Sequence, residues 1–188
     1  ITIYHAKYGT DPDGSWKLQM SINSGASWVD VGTTVSTTSS TLTGQVYSIN
    51  QSGNVRFKIT KVSGTRINFD DITITNYNPP SSTTFNGNSS NSWELALNWD
   101  NGSPAATSNV TIASSESAII NSTNLQCNNL TLESSSTLTI NTGTSLSVSG
   151  TLTNSAGASG LVIESDATGT GSLIHSTAGV AATVERYI

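Results

Sequence analysis

The chain has 188 residues, a formal net charge of −5 and only 10% charged side chains, a length that holds one large domain or two small ones. With 35% hydrophobic residues it is not a charge-swollen disordered chain, and its mild acidity gives no support for binding to nucleic-acid phosphates. Helix formers are few and Thr, Val and Ile are plentiful, which favours strands, and no apolar run approaches the ~20 residues of a membrane helix.

The single cysteine, Cys127, excludes an intrachain disulfide. A secreted eukaryotic domain of this size often carries bridges, so the lack of one leans toward a bacterial exported protein. The chain begins and ends inside strand-like text, "ITIY" and "ATVERYI", and is expected to be a processed or trimmed piece of something longer. Charge divides it. Residues 1–77 carry six bases against five acids, whereas residues 78–188 carry only Arg186 against seven acids. That shift predicts two modules.

The first module, residues 1–77, reads as antiparallel strands. In "WKLQMSI" the apolar residues Trp16, Leu18, Met20 and Ile22 alternate with Lys17, Gln19 and Ser21, the period of a half-buried strand. "NSGAS" turns the chain and "WVDVG" returns it. The stretch Ser21–Trp28, "SINSGASW", fits S-x-[DN]-x-G-x-[ST]-W. It resembles the Asp-box of sialidase-like secreted β-proteins, in which the box lies away from the chemistry. Here it is expected to be a turn device: Asn23 bonding the turn backbone, Gly25 taking positive φ, Trp28 packing over the loop. In "NVRFKITKV", Val55, Phe57 and Ile59 share one face, and "SGT" leads into "RINFDDITITN". With "TLTGQVYSI" between them, these hairpins predict a β-sandwich. About 77 residues is short for a full sandwich, so one or two N-terminal strands are expected to be missing.

"NYNPPSSTTFNGNSSNS" separates the modules, because Pro79-Pro80 cannot occupy a central strand. The linker is placed at residues 78–84 and the second module at 85–188. There, short apolar pulses recur: "NVTI" (109–112), "NLTL" (129–132), "TLTI" (137–140), "SLSV" (145–148), "LVIE" (161–164) and "SLIH" (172–175). Such spacing predicts a short parallel β-helix-like solenoid, whose rungs bury their apolar faces only by stacking, with β-branched residues in the inward ladders. A second antiparallel sandwich is the less favoured reading. Trp93 and Trp99 are the candidates for its N-terminal cap. The fold class is therefore all-β, a jelly-roll-like sandwich followed by a solenoid.

Candidate sites are sparse. His5 and His175 fall in different modules and neither sits in a nucleophile motif. A chain with so few titratable groups has little material for acid–base work, so no catalytic residue is assigned. At Asp70-Asp71 the alternation slips phase, which predicts a β-bulge. Two adjacent carboxylates there are candidate ligands of a structural Ca²⁺, set against the plainer reading of a solvated strand end. "DPDG" (11–14) is explained by turn chemistry. Arg56, Lys58, Lys61 and Arg66 read as the solvated face of a hairpin. Trp16 is expected in the core, leaving Tyr4, Tyr8 and Tyr47 as candidate glycan contacts, because flat rings cover the apolar face of a sugar. Glu116, Glu133 and Glu164 are the only acids able to line one solenoid face as a polysaccharide-active enzyme would require.

Two long stretches carry a resemblance. "YGTDPDGSWKLQMSINSGASWVDVG…GNVRFKITKVSGTRINFDDITIT" resembles the jelly-roll accessory domain of secreted Bacteroidota proteins, some extracellular nucleases among them. "SWELALNWDNGSPAATSNVTI…LQCNNLTLESSSTLTINTGTSLSVSGTLTN" is similar to the solenoid region of large surface and gliding-adhesin-like proteins of the same bacteria. The resemblance implies a type 9 secretion cargo that lies outside a Gram-negative cell or on its outer surface. Its implied partners are the secretion machinery and surface-attachment components, with polysaccharide as a candidate ligand. The implied role is a non-catalytic stalk or binding region that adheres or displays a partner domain. Two alternatives stand beside it: a calcium-stabilised carbohydrate-binding module accessory to a hydrolase or nuclease, and a fragment of a solenoid polysaccharide-active enzyme. Neither nucleic-acid binding nor membrane insertion is expected.

Overall fold

Alternating apolar and polar residues build six strands at the N-terminal side of the computed structural model, which describes residues 1–188. They are β1 (Thr2–Lys7), β2 (Gly14–Ser21), β3 (Val29–Thr37), β4 (Thr43–Val46), β5 (Arg56–Ser63) and β6 (Ile67–Thr73). All pairings are antiparallel, in two three-stranded sheets ordered β4-β1-β6 and β3-β2-β5. Trp16 on β2 is fully buried and joins the sheets. Its ring meets His5 and Phe69 edge-on at 5.2 Å, both from the other sheet, and Tyr47 at 6.3 Å. Leu18 and Met20 follow it into the core, as their phase with Trp16 requires.

The Asp-box forms as a bonded turn between β2 and β3. Asn23 Oδ1 accepts the Ser27 N–H at 2.9 Å, Gly25 N–H donates to Ser21 Oγ at 2.8 Å, and Gly25 has φ +95°. Trp28 packs against Gly25 but stays half-buried, with the Lys58 ammonium 4.4 Å above its ring.

The second half is a parallel solenoid of about three turns. Its first face stacks β7 (Ser82–Phe85), β8 (Asn109–Ile112), β11 (Leu130–Leu132) and β14 (Leu152–Asn154). Its second stacks β9 (Ser117–Ile120), β12 (Thr137–Ile140), β15 (Leu161–Ile163) and β19 (Thr183–Val184). Its third stacks β10 (Leu125–Cys127), β13 (Ser145–Val148) and β18 (Ser172–Ile174). A small hairpin, β16 (Ser165–Asp166) with β17 (Gly169–Thr170), is inserted between the last two faces. Inward ladders run Val110–Leu130–Leu152, Ala118–Leu138–Leu161 and Ile120–Ile140–Ile163. Leucine is as common in them as β-branched residues, contrary to the expectation for the inward positions. A short strand buried on one face tolerates either shape, because strand preference reflects packing against neighbours more than an intrinsic backbone bias.

The sequence division needs two corrections. Residues 78–84 are not all linker, because β7 already begins at Ser82 and pairs with β8. Asn50–Ser52 group with Asn78–Ile188 as one compact unit, while Ile1–Ile49 and Gly53–Tyr77 form the other. Gln51 explains the grouping. Its side chain donates to Glu94 O at 2.7 Å and accepts the Ala96 N–H at 2.6 Å. Those backbone groups lie at the N-terminal end of a one-turn 3₁₀ helix, Ala96–Asn98, whose N-cap residue makes no side-chain cap bond. Trp99 lies edge-on against Phe85 of the first rung at 5.1 Å and against Trp93 at 4.9 Å, with Trp99 Nε1 donating to Trp93 O at 2.7 Å. This is the cap that a solenoid end needs.

Candidate functional site

The residues singled out in the sequence fall into three environments. Asp70 and Asp71 lie on β6 at a true bulge: Thr2 pairs with Thr73 and Tyr4 with Asp70, so three steps on β6 oppose two on β1. Asp71 takes φ +45° and donates its N–H to Asp70 Oδ1 at 2.9 Å. One carboxylate oxygen is therefore engaged in holding the bulge, and the rest face solvent. No group of three or more His, Cys, Asp or Glu side chains gathers anywhere in the chain.

The three tyrosines separate. Tyr4 is 39% exposed, and its ring covers Gly44, where an added Cβ would meet it at 3.2 Å. Tyr4 pairs with Gly44 on one side and with Asp70 on the other. Gly44, Tyr4 and Asp70 thus form a row across three strands: a bare backbone, a flat ring and a carboxylate. Tyr8 is exposed, but the Arg66 guanidinium lies 4.0 Å over its ring. Asp11 grips that guanidinium from Nε at 2.8 Å and from the terminal nitrogen at 3.0 Å. The Arg66 hydrogen bond also holds the Asp11 carboxyl below the usual carboxylate range. Tyr47 must be withdrawn as a glycan contact, because it is buried at 8% exposure against Trp16. The alternation in "TGQVYSI" does not reveal this, since β4 ends at Val46 and Tyr47 follows the strand.

The remaining candidates do not converge. Glu133 follows Leu132, which stacks on Ile112, whereas Glu116 precedes β9 and Glu164 follows Ile163 at another corner. Glu116 and Glu133 thus lie in the same turn between the first and second faces on adjacent rungs, three rung positions apart, while Glu164 stands away from them at the next corner. Lys61 donates to Thr65 O at 2.9 Å and Lys58 covers Trp28, so the basic hairpin residues are spread among local partners. His5 is buried, with Nδ1 2.9 Å from Thr37 Oγ1, and burial lowers its pKa from the ordinary 6.5. The Cys127 thiol is pushed up to about 12 by burial, which leaves it protonated and inert at neutral pH.

Sequence reasoning missed Gly44 as part of the Tyr4 row. The signal was present, because an isolated glycine inside a strand marks a close approach. The outward hydroxyl and amide ladder of the solenoid was also missed. Thr137 Oγ1 donates to Ser117 Oγ at 2.7 Å, Asn141 Nδ2 to Asn121 Oδ1 at 2.7 Å, and Asn129 Nδ2 to Asn109 Oδ1 at 2.9 Å. Each bond links one rung to the next about 20 residues on.

No helix is long and apolar enough to cross a membrane. Neither the curated proteins nor the solved structures contain a match to the chain. A family model described as a domain of unknown function, DUF8693, matches residues 84–183. That span runs from the middle of β7 to the start of β19 and so takes in the cap and the stacked rungs. The chain belongs to the DUF8693 family, and the part that makes it a member is the capped solenoid.

Proposed function

We propose that this chain is a non-catalytic stalk and binding region of an exported bacterial protein, carried by the type 9 route and held outside the cell or on its outer surface. The observation that carries the reading is the side-chain ladder of the solenoid. Its outward Ser, Thr and Asn groups bond to their equivalents one rung away rather than converging on a point. Such a surface sets a length and a direction for whatever is attached to it, and it supplies no grouped acid and base. Its partners on this reading are the secretion machinery, surface-attachment components and a displayed domain.

A second reading, a carbohydrate-binding module with Ca²⁺ at Asp70-Asp71, draws support from the Gly44–Tyr4–Asp70 row. An exposed ring beside a carboxylate suits a sugar, whose apolar face stacks while its hydroxyls donate. One set of measurements separates the readings. The purified chain is incubated with a panel of polysaccharides, and turnover, retention and calcium-dependent melting are recorded. The stalk reading expects no turnover, no retention that Tyr4→Ala abolishes, and the same melting temperature in calcium and in EDTA. Retention lost in Tyr4→Ala, or a calcium-dependent rise in melting temperature lost in Asp70→Asn, moves the assignment to the second reading. Turnover of any polymer sinks both.

A further inference from the structure

The two sheets of the sandwich are closed on one side and open on the other. On the β3/β4 side, Val31, Thr37, Tyr47 and Ile49 are buried. On the β5/β6 side, the corresponding apolar side chains are not. Phe57, Ile59, Ile67 and Phe69 are only half-buried, and Val62, Ile72 and Ile74 are more than half exposed. Both β5 and β6 pair on one side only, so each is a sheet edge that leaves backbone N–H and C=O groups unpaired in strand geometry.

The topology says what fits there. An eight-strand jelly roll is a double Greek key of two four-stranded sheets. Orders β4-β1-β6 and β3-β2-β5 reproduce that arrangement, with β1 and β2 as inner strands, except that one strand is lacking beyond β6 and one beyond β5. In chain order the two lacking strands would directly precede β1. We propose that the β5 and β6 edges seat two consecutive β-strands supplied by the polypeptide immediately upstream of Ile1. The first lies antiparallel to β6 and the second antiparallel to β5.

The ends match. Thr2 pairs with both Val46 and Thr73, and Arg56 pairs with Ser21 at the far end of β2. A strand antiparallel to β5 finishes beside Arg56, at the end of the sandwich where β1 begins. The regular parts of the edges, Arg56–Lys61 and Ile67–Asp70, set the length of each added strand; beyond them both edges are bulged. The inward residues of the new strands are apolar, because they complete the cover over Phe57, Ile59, Ile67 and Phe69. Their outward residues meet Arg56 and Lys58 and are polar or acidic.

Amide hydrogen exchange tests this on two forms: the 188-residue chain, and the natural polypeptide extended upstream by about 40 residues. The expected result is that amides of Arg56–Lys61 and Ile67–Asp70 exchange at least about tenfold more slowly in the extended form, at every protein concentration. Ile59→Ala and Ile67→Ala, at half-buried positions that the added strands would cover, are expected to lower the melting temperature of the extended form more than that of the 188-residue chain. Unchanged exchange in the extended form overturns the proposal, as does a natural upstream sequence with no pair of alternating apolar segments. Edges already protected in the 188-residue chain, more so as its concentration rises, overturn it in favour of a contact between copies.

Discussion

At the residue scale, burial decides what each titratable group does. His5 lies among Trp16, Thr37 and Phe69 with no carboxylate beside it, and burial lowers its pKa below the ordinary value of 6.5. A depressed folded-state value means that the unfolded chain binds the proton first, so stability rises with pH across the interval between the two values. The sandwich is therefore expected to hold its full stability above about pH 6.5 and to lose it as pH falls from there toward the lower folded value. Urea titrations at pH 7.5, 6.5 and 5.5 check this, with His5→Gln expected to flatten the dependence over that range. A wild-type midpoint that does not move over the range contradicts the assignment. The same logic separates the tyrosines: Tyr4 and Tyr8 keep exposed rings, while Tyr47 is enclosed and burial raises its phenol pKa.

At the scale of elements, the Asp-box shows how much a short motif determines. Its residues were legible because each does local work: Asn23 Oδ1 accepts from Ser27 N and Ser21 Oγ, both at 2.9 Å, and Ser24 and Gly25 take positive φ. Asn23→Ala removes these bonds from an exposed turn and is expected to cost about 1 kcal/mol. Gly25→Ala forces a side chain into the left-handed region and is expected to cost about 1–2 kcal/mol. The shift in denaturation midpoint of the sandwich measures both. The Asp70-Asp71 bulge was legible for a related reason, since a slip in a two-residue alternation has few other causes. The pulses of β9, β10 and β14 were not, because strands of three or four residues such as "SAII", "LQC" and "LTN" carry too little alternation to stand out.

At the scale of the whole molecule, the solenoid rests on stacking between rungs. Leu138 is fully buried between Ala118 and Leu161 of the rungs on either side, whereas the neighbouring Thr139 faces outward between Ile119 and Val162. Leu138→Ala is expected to destabilise the solenoid by about 2–5 kcal/mol, and Thr139→Ala by less than about 1 kcal/mol. Equilibrium unfolding of the two variants gives the contrast, and equal costs would mean that the core does not run along the ladder. The sequence by itself determined the all-β class, the division near residue 77, the turn at Asn23–Ser27, the bulge and the Trp93/Trp99 cap. These follow from side-chain period and turn chemistry, which act over a few residues. Tertiary structure alone decided that Gln51 reaches Glu94 and Ala96, that Tyr47 is core, that Tyr4 stands between Gly44 and Asp70, and that the sandwich edge at β5 and β6 is open. Each of these depends on which distant strands become neighbours, and that choice is made by closing the whole apolar surface at once rather than by any local run of residues.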